Sequence, residues 1–127
     1  MQRAKYDLAD VFELVDAKMI DFTVPKKSVN AVVTAYKNSQ QPLTVLQAEE
    51  FICRGLKTLT EINFVGSQLQ WETVVVDKYG LIFDQRPWFV KFAIGEDGRL
   101  EEISFHPPVK AFTTLGGIKI PKGESHE

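Results

Sequence analysis

The segment from Trp71 to His106 constrains the fold more than any other part of the chain, because it combines strand-forming residues with turn signals. Within it, large apolar residues occupy every second position of one run: Trp88, Val90, Phe92 and Ile94. A period of two is typical of a β-strand, whose side chains point alternately to the two faces of a sheet. The segment therefore predicts the centre of an antiparallel sheet.

Two turn signals divide this segment. Gly95-Glu96-Asp97-Gly98 is typical of a hairpin connection, because glycine adopts positive φ at little cost. Leu100–His106 then predicts the return strand. Asp77–Gly80 predicts an earlier turn, between a strand over residues 69–76 and a strand over residues 81–83.

The first half of the chain carries helical patterns instead. Residues 4–20 place apolar side chains at the spacing of one helix face. Pro25 suits the first turn of a second helix, which we expect to run through Tyr36. Thr44 and Gln47 have the spacing of a capping box, in which each side chain satisfies a free backbone N–H, so a third helix begins there.

The order of these elements predicts one α+β domain over residues 1–127. We expect two or three N-terminal helices packed on one face of a curved antiparallel sheet of four to six strands. Residues 109–120 would add a small edge hairpin, and residues 121–127 would form a flexible tail. This element order is similar to that of cone-shaped folds such as the NTF2-like and cystatin-like groups. The resemblance implies no site residue and no activity.

Charge and motif content disfavour several classes of function. The net charge is −2, with neither half of the chain basic, so nucleic-acid binding is not expected. The chain has two histidines and one cysteine and no metal or cofactor motif, so we expect neither a metal nor a cofactor. It has no visible secretory signal and no apolar stretch of about 20 residues, which favours a cytoplasmic protein without membrane contact.

The candidate pocket or acid/base residues are Asp84, Arg86 and His106. Asp84-Gln85-Arg86-Pro87 interrupts two strand-like runs, and Pro87 has no N–H to donate, so it predicts a turn, bulge or edge that re-aims side chains. If Asp84 met His106, the two would form an acid/base pair, and Arg86 could hold an anion. A solvated ion pair and a histidine at a strand end are the simpler interpretation.

A second candidate site is the face of the sheet that the helices leave open. Helices cover one face of a single-layer sheet, so the other face must meet solvent, a ligand or a partner, including a second copy of the chain. The candidates for sheet-face binding are Trp71, Tyr79, Trp88, Phe89 and Lys91.

Two classes of function follow. The first is a non-enzymatic protein-binding or interaction module, adaptor or immunity/inhibitor-like, which uses the open sheet face or the acidic first helix. The alternative is a small-molecule-binding cone or an enzyme, with an apolar pocket between helices and sheet. The absence of any catalytic motif favours the first. The acidic residues of the first helix step by three along one face: Asp7, Asp10, Glu13 and Asp16.

Overall fold

Three helices precede an antiparallel sheet in the computed structural model, which describes residues 3–22, 26–70 and 73–123. The helices are α1 (Leu8–Asp16), α2 (Lys27–Tyr36) and α3 (Val45–Leu56), followed by a short 3-10 helix, Glu61–Asn63. The four main strands are β1 (Phe64–Gln70), β2 (Val74–Phe83), β3 (Arg86–Ile94) and β4 (Leu100–His106). Two short strands follow, β5 (Phe112–Thr113) and β6 (Lys119–Ile120). The predicted α+β class and element order are confirmed.

Local capping chemistry sets where the helices begin. The Thr44 hydroxyl accepts the Gln47 N–H at 3.1 Å, and the Gln47 side chain accepts the Thr44 N–H at 2.9 Å, which confirms the predicted capping box of α3. Asp7 caps α1 by accepting the Ala9 N–H at 3.0 Å. The predicted start of α1 at residue 4 is therefore wrong, because Asp7 is extended and ends the preceding segment.

The main sheet is an open meander in the order β1-β2-β3-β4. Strand β2 continues without a break through Asp77–Gly80, so the predicted turn there is wrong. Two tertiary contacts explain these turn-like residues. The buried Asp77 carboxylate accepts backbone N–H groups from Lys5 and Tyr6, and Gly80 leaves room for side chains that pack directly on the strand.

The core lies between the helices and one face of this sheet. Helices α2 and α3 pack on each other, and α2 packs on β4. Helix α3 approaches the sheet closely at Gly55, where a Cβ atom would lie 2.7 Å from the Phe105 ring. The largest fully buried side chains on this side include Val32, Ile52, Leu56, Tyr79, Trp88, Phe92 and Phe105.

The second face of the sheet is covered at one end by the β5–β6 hairpin. These strands form a separate two-stranded sheet, so the predicted edge hairpin is wrong in its placement. A Cβ atom on Gly80 would lie 2.6 Å from the Phe112 ring and 2.7 Å from Ile120, so the hairpin sits directly on β2. The Phe112 ring also meets Phe89 edge-on, with 6.2 Å between centroids. The hairpin packs on the sheet because this face presents apolar residues there.

The other end of the second face carries a polar layer. Lys78 Nζ donates to Gln68 Oε1 at 3.2 Å, and Lys91 Nζ donates to Gln70 Oε1 at 3.0 Å. Gln70 Nε2 donates in turn to Glu102 Oε2 at 3.1 Å. This end of the face therefore presents a hydrogen-bonded network to solvent instead of an aromatic surface.

Within the described ranges, no helix has the length and apolar character that a bilayer crossing requires. The predicted loose tail, residues 121–127, is described only as far as Gly123, whose N–H donates to the Pro108 carbonyl at 2.9 Å.

Candidate functional site

The strands β2 and β3 are joined by a two-residue turn at Asp84 and Gln85. Phe83 pairs directly with Arg86, and the two turn residues have φ of 54° and 60°. Tight hairpins of this kind favour asparagine, aspartate or glycine, so Asp84 suits its position, whereas the left-handed backbone costs Gln85 about 1 kcal/mol or more. Backbone strain of this size persists only where surrounding contacts hold it in place.

Side chains of the turn tie it to the end of α2. The Tyr36 hydroxyl donates to Asp84 Oδ2 at 2.5 Å. Arg86 Nη1 donates to the Ala35 carbonyl at 2.8 Å, and its guanidinium carbon lies 4.0 Å from the centroid of the Tyr36 ring. Arg86 thus combines a helix C-terminus, which favours positive charge, with a cation–π contact.

The Tyr36 phenol remains a hydrogen-bond donor. Burial raises its pKa above the ordinary value of 10.0, and the hydrogen bond to Asp84 and the charge of that carboxylate raise it further. Arg86 and Arg54 oppose this shift, so both arginines lie within electrostatic reach of the hydroxyl. Because the phenol stays protonated, its O–H remains available to donate to the Asp84 carboxylate.

Two grooves flank the contact between Tyr36 and Asp84. The proline groove, of about 400 Å³, runs past Arg86, Pro87 and Pro107. The glutamine groove, of about 550 Å³, has walls formed by the loop after α2 and by α3, and these include Ser39, Gln40, Gln41 and Arg54. We call the two grooves together the turn cleft.

The turn cleft is positively charged, although the whole chain has a net charge of −2. Among the described residues, the charged ones that line it are Arg54, Arg86 and Asp84, which sum to two positive charges and one negative charge. Trp88 forms part of the floor but is fully buried, with Tyr36 stacked 6.4 Å from it. The cleft therefore has a rigid aromatic base and cationic walls.

Of the three predicted acid/base residues, the structure brings Asp84 and Arg86 together and places His106 elsewhere. His106 pairs with Phe89, its ring lies 5.3 Å from that ring, and its Nδ1 is 2.8 Å from the Pro107 carbonyl oxygen. That position belongs to the second face of the sheet, whereas Tyr36 holds Asp84 on the helix side. No contact joins Asp84 to His106, although both lie in the described part of the chain.

The described candidates for sheet-face binding lie on two different faces of the sheet. Tyr79 is 1% exposed and Trp88 is 0% exposed, and both belong to the core under the helices. Because side chains along a strand alternate between the two faces of a sheet, neither residue lies on the open face. Phe89 and Lys91 do lie on the second face, under the hairpin and in the polar layer. Trp71 lies outside the described residues. The homodimer through the sheet stays a prediction.

The acidic face of α1 is partly engaged within the molecule. Asp7 caps the helix, and Asp16 forms an ion pair with Lys57, 2.5 Å from Oδ1 to Nζ. Asp10 and Glu13 are exposed on the same helix. Two of the four carboxylates therefore have structural roles that a basic partner would have to replace.

Sequence reasoning missed Tyr36 and Arg54 as members of a site. Tyr36 fits the apolar stripe of α2, and its partner Asp84 is 48 residues further along the chain. The only available signal was a hydroxyl at the last position of a helical stripe. Cys53, beside Arg54, has a pKa raised by burial and then by Glu49 and Glu50, so its thiol is protonated and weakly nucleophilic.

The described residues contain no group of three or more side chains suited to hold a metal ion. Comparison with models of protein families, with curated proteins and with solved structures gave no match for this chain. The chemistry of the site therefore rests on its own geometry: a strained turn, two arginines and a protonated tyrosine between two open grooves.

Proposed function

We propose that this protein is a non-enzymatic interaction module that binds an acidic segment of a partner protein in the turn cleft. The observation that supports this most is the position of Arg86 and Arg54 on opposite sides of the Tyr36–Asp84 hydrogen bond, each beside an open groove. An extended peptide that crosses the turn would meet both guanidinium groups.

The chemistry of Arg86 suits a carboxylate. A guanidinium has five N–H donors in a planar fork, and Arg86 uses one nitrogen for the Ala35 carbonyl. The contacts with Ala35 and the Tyr36 ring fix the plane of the guanidinium, so little side-chain entropy is lost when a carboxylate binds. Arginine and tyrosine are also the residue types that dominate binding energy at protein interfaces.

The two surfaces expected from the sequence are less suitable. The open sheet face is covered by the β5–β6 hairpin at one end and is a polar network at the other. The acidic helix already uses Asp7 and Asp16 within the molecule. The turn cleft combines exposure, net charge and rigid aromatic support, which neither of those surfaces has.

The arrangement of the titratable groups supports a non-enzymatic role. Asp84 bonds to Tyr36 and not to His106, so this carboxylate does not orient that imidazole for proton transfer. The raised pKa values of Tyr36 and Cys53 keep both groups protonated near neutral pH, where neither is an effective base or nucleophile.

The test is a selection of random peptides displayed on phage against the immobilised protein. We expect the enriched peptides to share an aspartate or glutamate, since the cleft is cationic. Synthetic versions should bind Arg86→Gln at least about tenfold more weakly than wild type, because a charge-assisted hydrogen bond is lost. Arg54→Gln, which removes the second positive charge without breaking a backbone contact, should weaken binding by a smaller factor.

Lys78→Gln is the matched control. It removes one positive charge from the polar layer on the other face of the sheet, so it changes net charge equally but leaves the cleft intact. Its affinity for the same peptides should equal that of wild type. Peptides without a carboxylate, or peptides that bind wild type and both arginine variants equally, would contradict the proposal.

A further inference from the structure

A second groove, separate from the turn cleft, lies at the N-terminal end of the molecule. It has a volume of about 1050 Å³, and its walls are the segment before α1, the 3-10 helix, β1 and the loop between β5 and β6. We call it the Tyr79 groove. It has no lining residue in common with the turn cleft.

Apolar side chains in the wall of the Tyr79 groove are open to a ligand and held in place. Ile62 and Leu115 line the groove and are 55% and 60% exposed. The Thr114 hydroxyl donates to the Ile62 carbonyl at 2.6 Å, and the Leu115 N–H donates to the Phe64 carbonyl at 2.8 Å. The groove is therefore preformed, as small-molecule sites usually are.

Tyr79 provides a polar group at the floor of this apolar groove. The residue is 1% exposed, and its ring is fixed between Phe64 and Phe92, each with 5.4 Å between centroids. No hydrogen bond joins its hydroxyl to another residue in the described ranges. The O–H group is therefore a donor for which those ranges supply no acceptor.

The charges around the Tyr79 hydroxyl determine which chemical group can accept its hydrogen bond. Burial is the main cause that raises the pKa of Tyr79, followed by the carboxylates of Asp77, Asp7 and Glu61. Asp7 and Glu61 stand on the rim of the groove together with Arg3 and Lys5, so the charges of the described lining residues balance. The charges that act on the hydroxyl itself are the three carboxylates, so the phenol is a neutral donor whose surroundings disfavour an anion as its partner.

We propose that the Tyr79 groove binds a small molecule with a flat apolar body and an uncharged hydrogen-bond acceptor, such as a ketone or amide carbonyl. The apolar body lies against Ile62, Phe64 and Leu115, and the carbonyl oxygen accepts the hydrogen bond of Tyr79. The three carboxylates that act on the hydroxyl disfavour a carboxylate of the same shape as its partner. This site does not depend on the function proposed for the turn cleft.

A matched pair of probes tests the proposal: 2-acetylnaphthalene, a neutral ketone, and 2-naphthoate, a carboxylate of nearly the same shape. Binding is followed by titration of the amide NMR spectrum of the full chain. We expect the ketone to shift the amides of Ile62, Leu115 and Gly116 and to bind at least about tenfold more tightly than the carboxylate. Tyr79→Phe should weaken ketone binding about three- to tenfold, the range expected for one hydrogen bond.

Two further variants keep the test decisive. Ile62→Ser removes apolar wall from the groove and should weaken the ketone, whereas Ile82→Ser, at an apolar residue of similar exposure on the other face of the sheet, should not. The proposal would be overturned if the ketone bound wild type, Tyr79→Phe and Ile62→Ser with equal affinity. Equal binding of the two probes, the absence of binding by either, or shifts confined to residues outside the groove would overturn it too.

Discussion

Asp77 shows how a single buried carboxylate organises distant parts of this chain. It is 0% exposed and accepts N–H groups from Lys5 at 3.0 Å and Tyr6 at 2.9 Å, together with the Ser67 hydroxyl at 2.5 Å. A carboxylate can be buried when several donors satisfy its oxygens. Asp77 thereby fixes the segment before α1, which also forms one wall of the Tyr79 groove.

The first prediction concerns the stability that Asp77 contributes. Asp77→Ala leaves two backbone N–H groups without their acceptor and removes one hydrogen bond of the Ser67 hydroxyl, so we expect the free energy of unfolding to fall by about 2–4 kcal/mol. Urea denaturation followed by circular dichroism measures this change. Glu13→Ala, on the exposed face of α1, is the control and should change stability by less than about 0.5 kcal/mol. A similar loss for both variants would contradict the structural role of Asp77.

The second prediction compares two tyrosines by the same substitution. Tyr36→Phe loses the 2.5 Å hydrogen bond to Asp84 and should lower the free energy of unfolding by about 1–2 kcal/mol. Tyr79→Phe loses no hydrogen bond recorded in the described ranges, so its stability should equal or exceed that of wild type. Thermal unfolding of the two variants distinguishes them. Destabilisation of Tyr79→Phe by as much as Tyr36→Phe would show that its hydroxyl has a structural partner.

At the scale of elements, the β5–β6 hairpin covers one end of the second face of the sheet. Its contact with β2 depends on Gly80, since a side chain there would occupy the space of Phe112 and Ile120. The position is in the middle of a strand, where glycine is otherwise unfavourable. Close approach of the hairpin is the physical reason for glycine at this position.

The third prediction follows from that contact. Gly80→Ala places a Cβ atom 2.6 Å from the Phe112 ring, so the hairpin must shift, and we expect a loss of about 1–3 kcal/mol in the free energy of unfolding. Phe112→Ala in the same chain should relieve the overlap, although not the contact with Ile120. A double-mutant cycle measures this coupling. Strictly additive effects of the two substitutions would mean that the hairpin does not press on Gly80.

The sequence predicted those elements whose signals are local. The capping box at Thr44, the alternation from Trp88 and the glycine hairpin after β3 each lie within a few residues, and all three are observed. Asp77 and Gly80 were misread as a turn because their partners are distant. Lys5 and Tyr6 are over 70 residues away from Asp77, and Phe112 lies beyond the end of the main sheet.

Only the local part of the candidate site could likewise be predicted from the sequence. Asp84 and Arg86 stood out because a proline follows them between two strand-like runs, and the turn is indeed there. Their partner Tyr36 could not be identified, since only the packing of α2 on the sheet brings it to the turn. The proposed pairing with His106 depended on which face each side chain takes, and that is set by register and not by composition.

At the scale of the whole molecule, the β4 edge of the main sheet is covered. The Ser28 hydroxyl donates to the Ile103 carbonyl at 2.8 Å and accepts the Phe105 N–H at 2.9 Å, so α2 covers part of the β4 edge. Leu100 pairs with Ile20 further along the same edge. Edge strands covered in this way do not add further strands readily. A partner is therefore not expected to extend the sheet at β4.

The last prediction concerns the three tyrosines, because folding raises the pKa of each one. The chain contains Tyr6, Tyr36 and Tyr79, and burial is the first cause that raises the pKa of each above 10.0. A phenol with a higher pKa in the folded chain than in the unfolded chain stabilises the fold fully below pH 10. That stabilisation is lost as pH rises above 10, because the unfolded chain then releases protons that the folded chain retains.

We therefore expect no tyrosine to ionise near pH 10 in the folded protein. In an alkaline titration, the phenolate absorbance should remain low past pH 10 and then rise together with the loss of the far-ultraviolet circular dichroism signal. Tyr36→Phe/Tyr79→Phe should make the stability fall less steeply with pH in this range, since two of the three linked protons are removed. A tyrosine that ionises near pH 10 while the circular dichroism signal is intact would contradict the burial of these three phenols.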